Sequence, residues 1–295
     1  MINEVYNVFS PSGSEGKMRE YITERISGKF DEIKADKFGN LIARSGDCDF
    51  CIECGMDSSG IMIVSTDEKT AHFAGVGGIN AEYLIGKKIL FTDDKIGIVR
   101  YDGKISGESK FPELYLECDT KDRKVGDFGV VKSGYCETED KIFANGLSNK
   151  IGLAAVLEAL DKFDRIDDLC VLFSSQKRLD ARGIQAFFGN EGFDRVVTVD
   201  GVLSENIKNC TFVVADSSGV CDEEFREELK NYIDCFAVTG EKLCISNISA
   251  SGKGSSCTAL GIPIYNKNKN FETVKKDDFN KAVELLKSVI KDLQN

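Results

Sequence analysis

Apolar positions along the chain switch between two periods, and the switch divides it. Between residues 17 and 26, Met18, Tyr21, Ile22 and Ile26 repeat at helical spacing, and Ser12 stands three residues before Glu15, the spacing of a capping box. This predicts a first helix. "KADKFGNLIARSG" then reads as a hairpin around Gly39 and Asn40, followed by the strands "FCIEC" and "IMIVST". From about residue 67 to 144 the runs are short and β-like ("AHFAGVG", "KKILFT", "GIVRY", "LYLEC", "FGVVKSG"), separated by Gly- and Asp-rich turns, as expected of a small inserted β-barrel. Helical character returns with Ile151 to Leu160, apolar nearly all round and so predicted to be buried.

Beyond it, "LCVLFSS", "RVVTVDG" and "TFVVAD" alternate with helices expected around 181–190 and 222–234, the pattern of a largely parallel sheet covered on both faces. Phe279, Ala282, Val283, Leu286, Val289, Ile290 and Leu293 mark an amphipathic closing helix. The predicted organisation is an α/β domain of residues 1–66 and 145–295, interrupted by a barrel of residues 67–144.

Charge narrows the function classes. With 38 basic and 49 acidic residues, the net charge of −11 opposes binding to nucleic acid or anionic membrane. No apolar run reaches the roughly 18–20 residues of a membrane span, and the opening "MINEVYNVFSPSGSEG" lacks the order of a secretion signal, so a cytoplasmic protein is expected. Eleven cysteines scattered without an export signal predict reduced thiols. Cys48, Cys51 and Cys54 form the densest group; if all three lie along one strand, Cys51 faces away from the other two, which disfavours a shared metal.

In doubly wound sheets, sites form just beyond the carboxyl ends of strands. Four segments qualify: "CGMDSSG" with Asp57, "ANGLSNKIG" with Ser148, Asn149 and Lys150, "SSQKRLDARG" with Lys177 and Arg178, and "VDG" with Asp200. His72, the single histidine, lies in the predicted barrel, so a site needing two imidazoles, or a Ser–His or Cys–His nucleophile, has no candidate. "SASGKGSS" (residues 249–256) fails the P-loop signature, since Asn247 stands where its first glycine is required and Gly254 follows the lysine; a Gly-rich turn before a helix is the simpler expectation.

In order, these segments resemble the deblocking and glutamyl aminopeptidases of peptidase clan MH, two-metal exopeptidases that assemble as tetrahedral dodecamers. The resemblance runs through "FSPSGSEGKMREYI", "DKFGNLIAR", "GMDSSGIMIV", "FAGVGGI", "LIGKKI", "KVGDFGVV" and "IFANGLSNKIGLAAVLEAL". It implies a three-layer α/β/α zinc-exopeptidase-like sheet with the barrel inserted, and a site of His-x-Asp, Asp-Asp-Arg, a Glu-Glu pair after Gln, a further Asp and a late His.

This chain departs from that set. Gly55 stands at the first His, with Asp57 kept as its orienting partner; Ser148, Asn149 and Lys150 replace Asp-Asp-Arg. Gln176 is kept, but Lys177 occupies the general-base position and Arg178 follows it. Asp200 alone is retained as a ligand, and Asn268 aligns best with the late His. The resemblance therefore leads us to expect no intact catalytic set, no metal, and a cleft in which Lys177 and Arg178 neutralise Asp57 and Asp200 in place of dications. Such a pseudoenzyme would bind a peptide or act in assembly, as a homo-oligomer through the inserted domain. Two alternatives stay open: an active metallo-aminopeptidase or hydrolase with two divalent metals, zinc or cobalt, recruiting acids such as Glu53, Asp180 or Glu272, and a regulatory pseudo-subunit of an active paralogue.

Overall fold

The computed structural model describes residues 1–102, 110–132 and 134–294. Its framework is an eight-stranded sheet whose four central strands, Leu169–Ser174, Phe50–Gly55, Arg195–Leu203 and Ser256–Ile264, run parallel in that order. The hairpin Glu32–Ala35/Leu41–Ser45 adds an antiparallel edge beside Leu169–Ser174, its turn tied by the Asp36 carboxylate accepting from the backbone N–H groups of Phe38, Gly39 and Asn40. On the other side Thr211–Ala215 and the two-residue strand Ala237–Val238 complete the sheet.

Because side chains alternate across a strand, each central strand supplies two cores. Ile52, Cys54, Val171, Phe173, Val197 and Val199 pack against helices Ile151–Leu160 and Lys276–Leu293, while Cys51, Cys170, Leu172 and Val196 pack against helices Arg182–Phe188 and Ile245–Ser249. The sheet is thus a middle layer between helices, as expected. Helix Ile151–Leu160 approaches Arg195–Leu203 so closely that a Cβ on Gly152 would lie 2.3 Å from the Val199 carbonyl oxygen.

A closed six-stranded barrel stands apart, built from Gly60–Thr66, Thr70–Val76, Lys88–Phe91, Ile96–Tyr101, Leu114–Glu117 and Phe128–Val131 around Ile61, Ile63, Phe73, Ile89, Phe91, Val99 and Leu116. A third, small sheet pairs Cys136–Glu137 and Lys141–Ala144 with Glu272–Lys275.

Several local expectations are corrected. "IMIVST" belongs to the barrel, because from Gly60 onward it pairs with Thr70–Val76 and Phe128–Val131 rather than with the central sheet. Thr211–Ala215 runs antiparallel to its neighbour Ser256–Ile264. The segment 249–256 leads into that strand, not into a helix; "SCTALGIPI" is buried almost throughout. The helix expected to be the first, Gly16–Arg25, follows a short helix Ile2–Asn7, and Ser12 does not cap it; its N-terminal neighbour is Glu15. Cys48 precedes its strand and so escapes the alternation: it shares a cluster with Cys51 and Cys170, and Cys54 lies on the opposite face. All eleven cysteines are free thiols. Among the described residues no helix is long and apolar enough to cross a membrane.

Candidate functional site

The cleft lies at the carboxyl ends of the central strands, where parallel strands stop and the chain must turn. After Ser174 the turn is tight: Gln176, Asp180 and Ala181, none of them glycine, adopt left-handed conformations. Buried carboxylates hold it. Glu15 Oε1 accepts from the Gln176 N–H at 3.0 Å, and Asp57 accepts from the N–H groups of Lys177 at 3.2 Å and Arg178 at 3.0 Å. Three successive backbone donors thus converge on two acids, a small anion-binding nest filled by the protein's own side chains. Ser12 Oγ donates to Asp57 Oδ2 at 2.6 Å. The two residues that suggest a capping box instead brace this turn. Burial pushes both acids up from the ordinary carboxylate range, and the hydrogen bonds they accept work against that rise.

Lys177 runs inward from this turn. Its Nζ sits 2.9 Å from Glu53 Oε2, 3.2 Å from Asp200 Oδ2 and 3.1 Å from Thr198 Oγ1. Glu53, in the middle of strand Phe50–Gly55, is wholly buried and also accepts from the hydroxyls of Ser174 and Thr198. Burial acts to lower the Lys177 pKa, but Asp200 and Glu53 outweigh it and the ammonium is held well above its ordinary range. Asp200 is the reciprocal case: burial raises it, yet Lys177, Lys267 and Arg178 leave it below the usual carboxylate value.

Gly55 makes room for this arrangement. A Cβ there would stand 2.7 Å from Lys177 Cδ and 3.2 Å from its Cβ, so the lysine stem fills the space a side chain at position 55 would need.

Arg178 turns the other way. Its Nε donates to Ser59 Oγ and to the Gly77 carbonyl, both at 3.1 Å, and its guanidinium makes no ion pair with Asp57 or Asp200. The expected pairing of Arg178 with Asp57 is a hydrogen bond from the backbone N–H; the guanidinium acts on that carboxylate only through its charge, without an ion pair. Lys177 does pair with Asp200, and it has a second partner, Glu53, outside the expected pairing. The signal for it was an acid alone in the apolar strand "FCIECG": a charge buried there requires a counter-ion.

The remaining candidates divide. Gly55, Asp57, Asn149, Lys177, Arg178, Asp200 and Asn268 line one cavity of about 250 Å³. Ser148 lines no such space: its N–H and hydroxyl both donate to Glu272, at 2.6 and 2.9 Å. Lys150, also buried, donates to the carbonyls of Tyr6 and Val8 and borders a second cavity of about 490 Å³; burial pushes its pKa down to about 7, against the pull of Asp57. Gln176 accepts from Arg182, and His72 sits on a barrel strand with its Nε2 3.8 Å from an Asp67 oxygen.

A family model for the M42 glutamyl aminopeptidases matches residues 39–285. The chain belongs to that family. An aminopeptidase-like protein of Acetivibrio thermocellus is 24% identical over 98% of this chain and 97% of its own length. Among solved structures, an aminopeptidase from Desulfurococcus kamchatkensis superposes with a TM-score of 0.86 at 16% identity, covering 99% of this chain and 93% of that one. The Pyrococcus horikoshii TET1 peptidase, which can assemble into a tetrahedron or a large octahedral shell, gives 0.85 at 20% identity, covering 98% and 99%. At these identities the structures speak for the fold.

The M42 family implies two divalent metals, and the donor set here does not fit them. Among the described residues no group of three or more His, Cys, Asp or Glu side chains is arranged to hold a metal ion. Asp57 already accepts from Ser12 and two backbone donors, and Asp200 is in contact with an ammonium. The three further acids are engaged elsewhere: Glu53 with Lys177, exposed Asp180 with Lys242, and Glu272 with Ser148 and the Asn268 N–H.

Proposed function

We propose that this M42-family chain is a metal-free relative of the aminopeptidases that does not hydrolyse peptides and uses the retained cleft for binding. The observation that carries this reading is the position of Lys177 Nζ, within 3.2 Å of both Glu53 and Asp200. A fixed ammonium supplies the positive charge those carboxylates need and repels a dication approaching Asp200, the one carboxylate ligand the family pattern retains. At the general-base position a lysine held well above its ordinary pKa is protonated at neutral pH and cannot accept a proton from water.

The test is metal content together with turnover. Purified protein is expected to carry no stoichiometric zinc, cobalt or manganese by elemental analysis, and to release no product from aminoacyl-anilides with or without those metals added. Stoichiometric metal, or turnover restored by metal, overturns the reading in favour of a rearranged hydrolytic site. Assembly into a homo-oligomer through the barrel is part of the proposal, supported by the shells that the similar Pyrococcus horikoshii TET1 peptidase forms; sedimentation measures it. A regulatory pseudo-subunit would instead co-purify with an active paralogue.

A further inference from the structure

The two cavities share a wall, and the residues common to both are Gly78, Asn149, Arg178 and Asn268. Three of these carry polar side chains with capacity to spare. The Arg178 guanidinium is anchored through Nε, to Ser59 and Gly77, and its two Nη groups have no hydrogen-bond or ion-pair partner among the described residues. The side-chain amides of Asn149 and Asn268 likewise make no hydrogen bond among the described residues, although the Asn268 backbone N–H is bound to Glu272. An anchored guanidinium with a free edge, beside two unengaged amides, is the donor pattern that receives a planar oxyanion.

Charge favours the same ligand. The chain as a whole is strongly acidic, yet the larger cavity is bordered by Lys87, Lys150, Arg178 and Lys269 against Glu272 alone. Glu272 is turned inward, accepting from Ser148 and Asn268, and Asp57 and Asp200 next door are satisfied in the same way. The surplus in the cleft is therefore cationic. The larger cavity also offers apolar contact, from Tyr6, Tyr83 and Val130 among others, interspersed with polar side chains such as Asn80 and Asn145.

We infer that this cleft binds an amphipathic carboxylate, with the carboxylate on Arg178, Asn149 and Asn268 and an apolar body in the larger cavity. The inference rests on the metal-free reading above and specifies its ligand: a region that in the family receives cations would here receive an anion. A molecule presenting a free ammonium at the same place would meet the open edge of Arg178 and be disfavoured.

N-acetylphenylalanine, its amide, phenylalanine amide and phenyl phosphate, titrated into the full chain in the presence of chelator by calorimetry or protein-observed NMR, test this. The acid is expected to bind at least tenfold more tightly than either amide, with Arg178→Gln removing at least tenfold of that affinity and Asn268→Leu severalfold, while weak binding of the neutral amide is unchanged. Equal affinity for acid and neutral amide, or an acid affinity indifferent to both substitutions in folded variants, overturns the assignment. So does tighter binding of phenyl phosphate, which would make a phosphate group the ligand. Metal analysis of the same preparation is read independently: bound metal defeats the metal-free reading whatever the acid does, and a metal-free protein that ignores the acid defeats only the carboxylate.

Discussion

Lys177 and Arg178 are neighbours in sequence and opposites in the structure. Both residues are half-buried, but the Lys177 side chain is only 9% exposed and its ammonium is shared among Glu53, Asp200 and Thr198, whereas Arg178 is anchored through Nε and its Nη groups have no partner among the described residues. On the proposed reading, in which the family pattern carries glutamates at both positions, the same reversal of charge is absorbed in two ways. On the Lys177 side the new cation is consumed by the protein's own acids and becomes part of the core. On the Arg178 side it is left facing two cavities. A reversed charge acts as a structural or a recognition element according to whether an acid already waits for it.

The sharpest way to break this contrast is to remove the buried cation. Lys177→Met leaves Glu53 with no counter-ion in a site of zero exposure, and taking one partner from a buried pair costs about 3–5 kcal/mol. Urea unfolding is expected to show that loss, and Lys177→Met combined with Glu53→Gln should recover a good part of it. If the single variant is as stable as the wild type, Glu53 is not held by Lys177.

Gly55→His comes next, since on the proposed reading the family pattern has a histidine there, where the lysine stem now lies. With its Cβ 2.7 Å from Lys177 Cδ the imidazole overpacks the site, at a cost of about 1–3 kcal/mol. The added penalty should shrink in a Lys177→Ala background, where the space is free; equal penalties in the two backgrounds would separate the positions.

How much of this was legible in the sequence follows from the same residues. The parallel core strands announced themselves because burial on both faces demands unbroken apolar runs such as "LCVLFSS", and the barrel because short alternating strands need frequent turns. Ser256–Ile264 was not readable as a strand: Gly261 and Pro263 are poor strand formers, and only pairing with Arg195–Leu203 and Thr211–Ala215 fixes it as one. At the site, the family pattern puts Asp57, Ser148, Lys150, Arg178 and Asp200 in one cleft; one cavity is lined by Asp57, Arg178 and Asp200 together with Gly55, Lys177 and Asn268, but not by Ser148 or Lys150. It could not tell which way each side chain turns. Ser148 faces Glu272 and Ser12 faces Asp57 because those buried acids draw their donors from several distant segments at once, a long-range requirement that spacing along the chain does not encode.

Lys150 sharpens the comparison from the open side. Its pKa, depressed to about 7 by burial, means that the unfolded chain binds more protons than the folded one between that value and the ordinary lysine pKa of 10.5. Stability attributable to this group therefore rises with pH above 7. Relative to a Lys150→Met variant, the wild type should gain about 1 kcal/mol between pH 7 and pH 8, read from paired urea titrations. A constant difference across that range would mean that the ammonium bound to the Tyr6 and Val8 carbonyls keeps its proton throughout.

The smallest stability effect is expected where the binding effect is largest. Arg178→Gln leaves the backbone N–H on Asp57 untouched and breaks no ion pair, so unfolding should move by only about 0.5 kcal/mol, as for a substitution outside the core. Set beside Lys177→Met, this is the decisive ratio: one cation whose loss is felt in stability, and an adjacent one whose loss is felt in ligand affinity. If Arg178→Gln instead destabilises as strongly as Lys177→Met, the guanidinium is bracing the junction of barrel and sheet through Ser59 and Gly77, and the two neighbours are doing the same job.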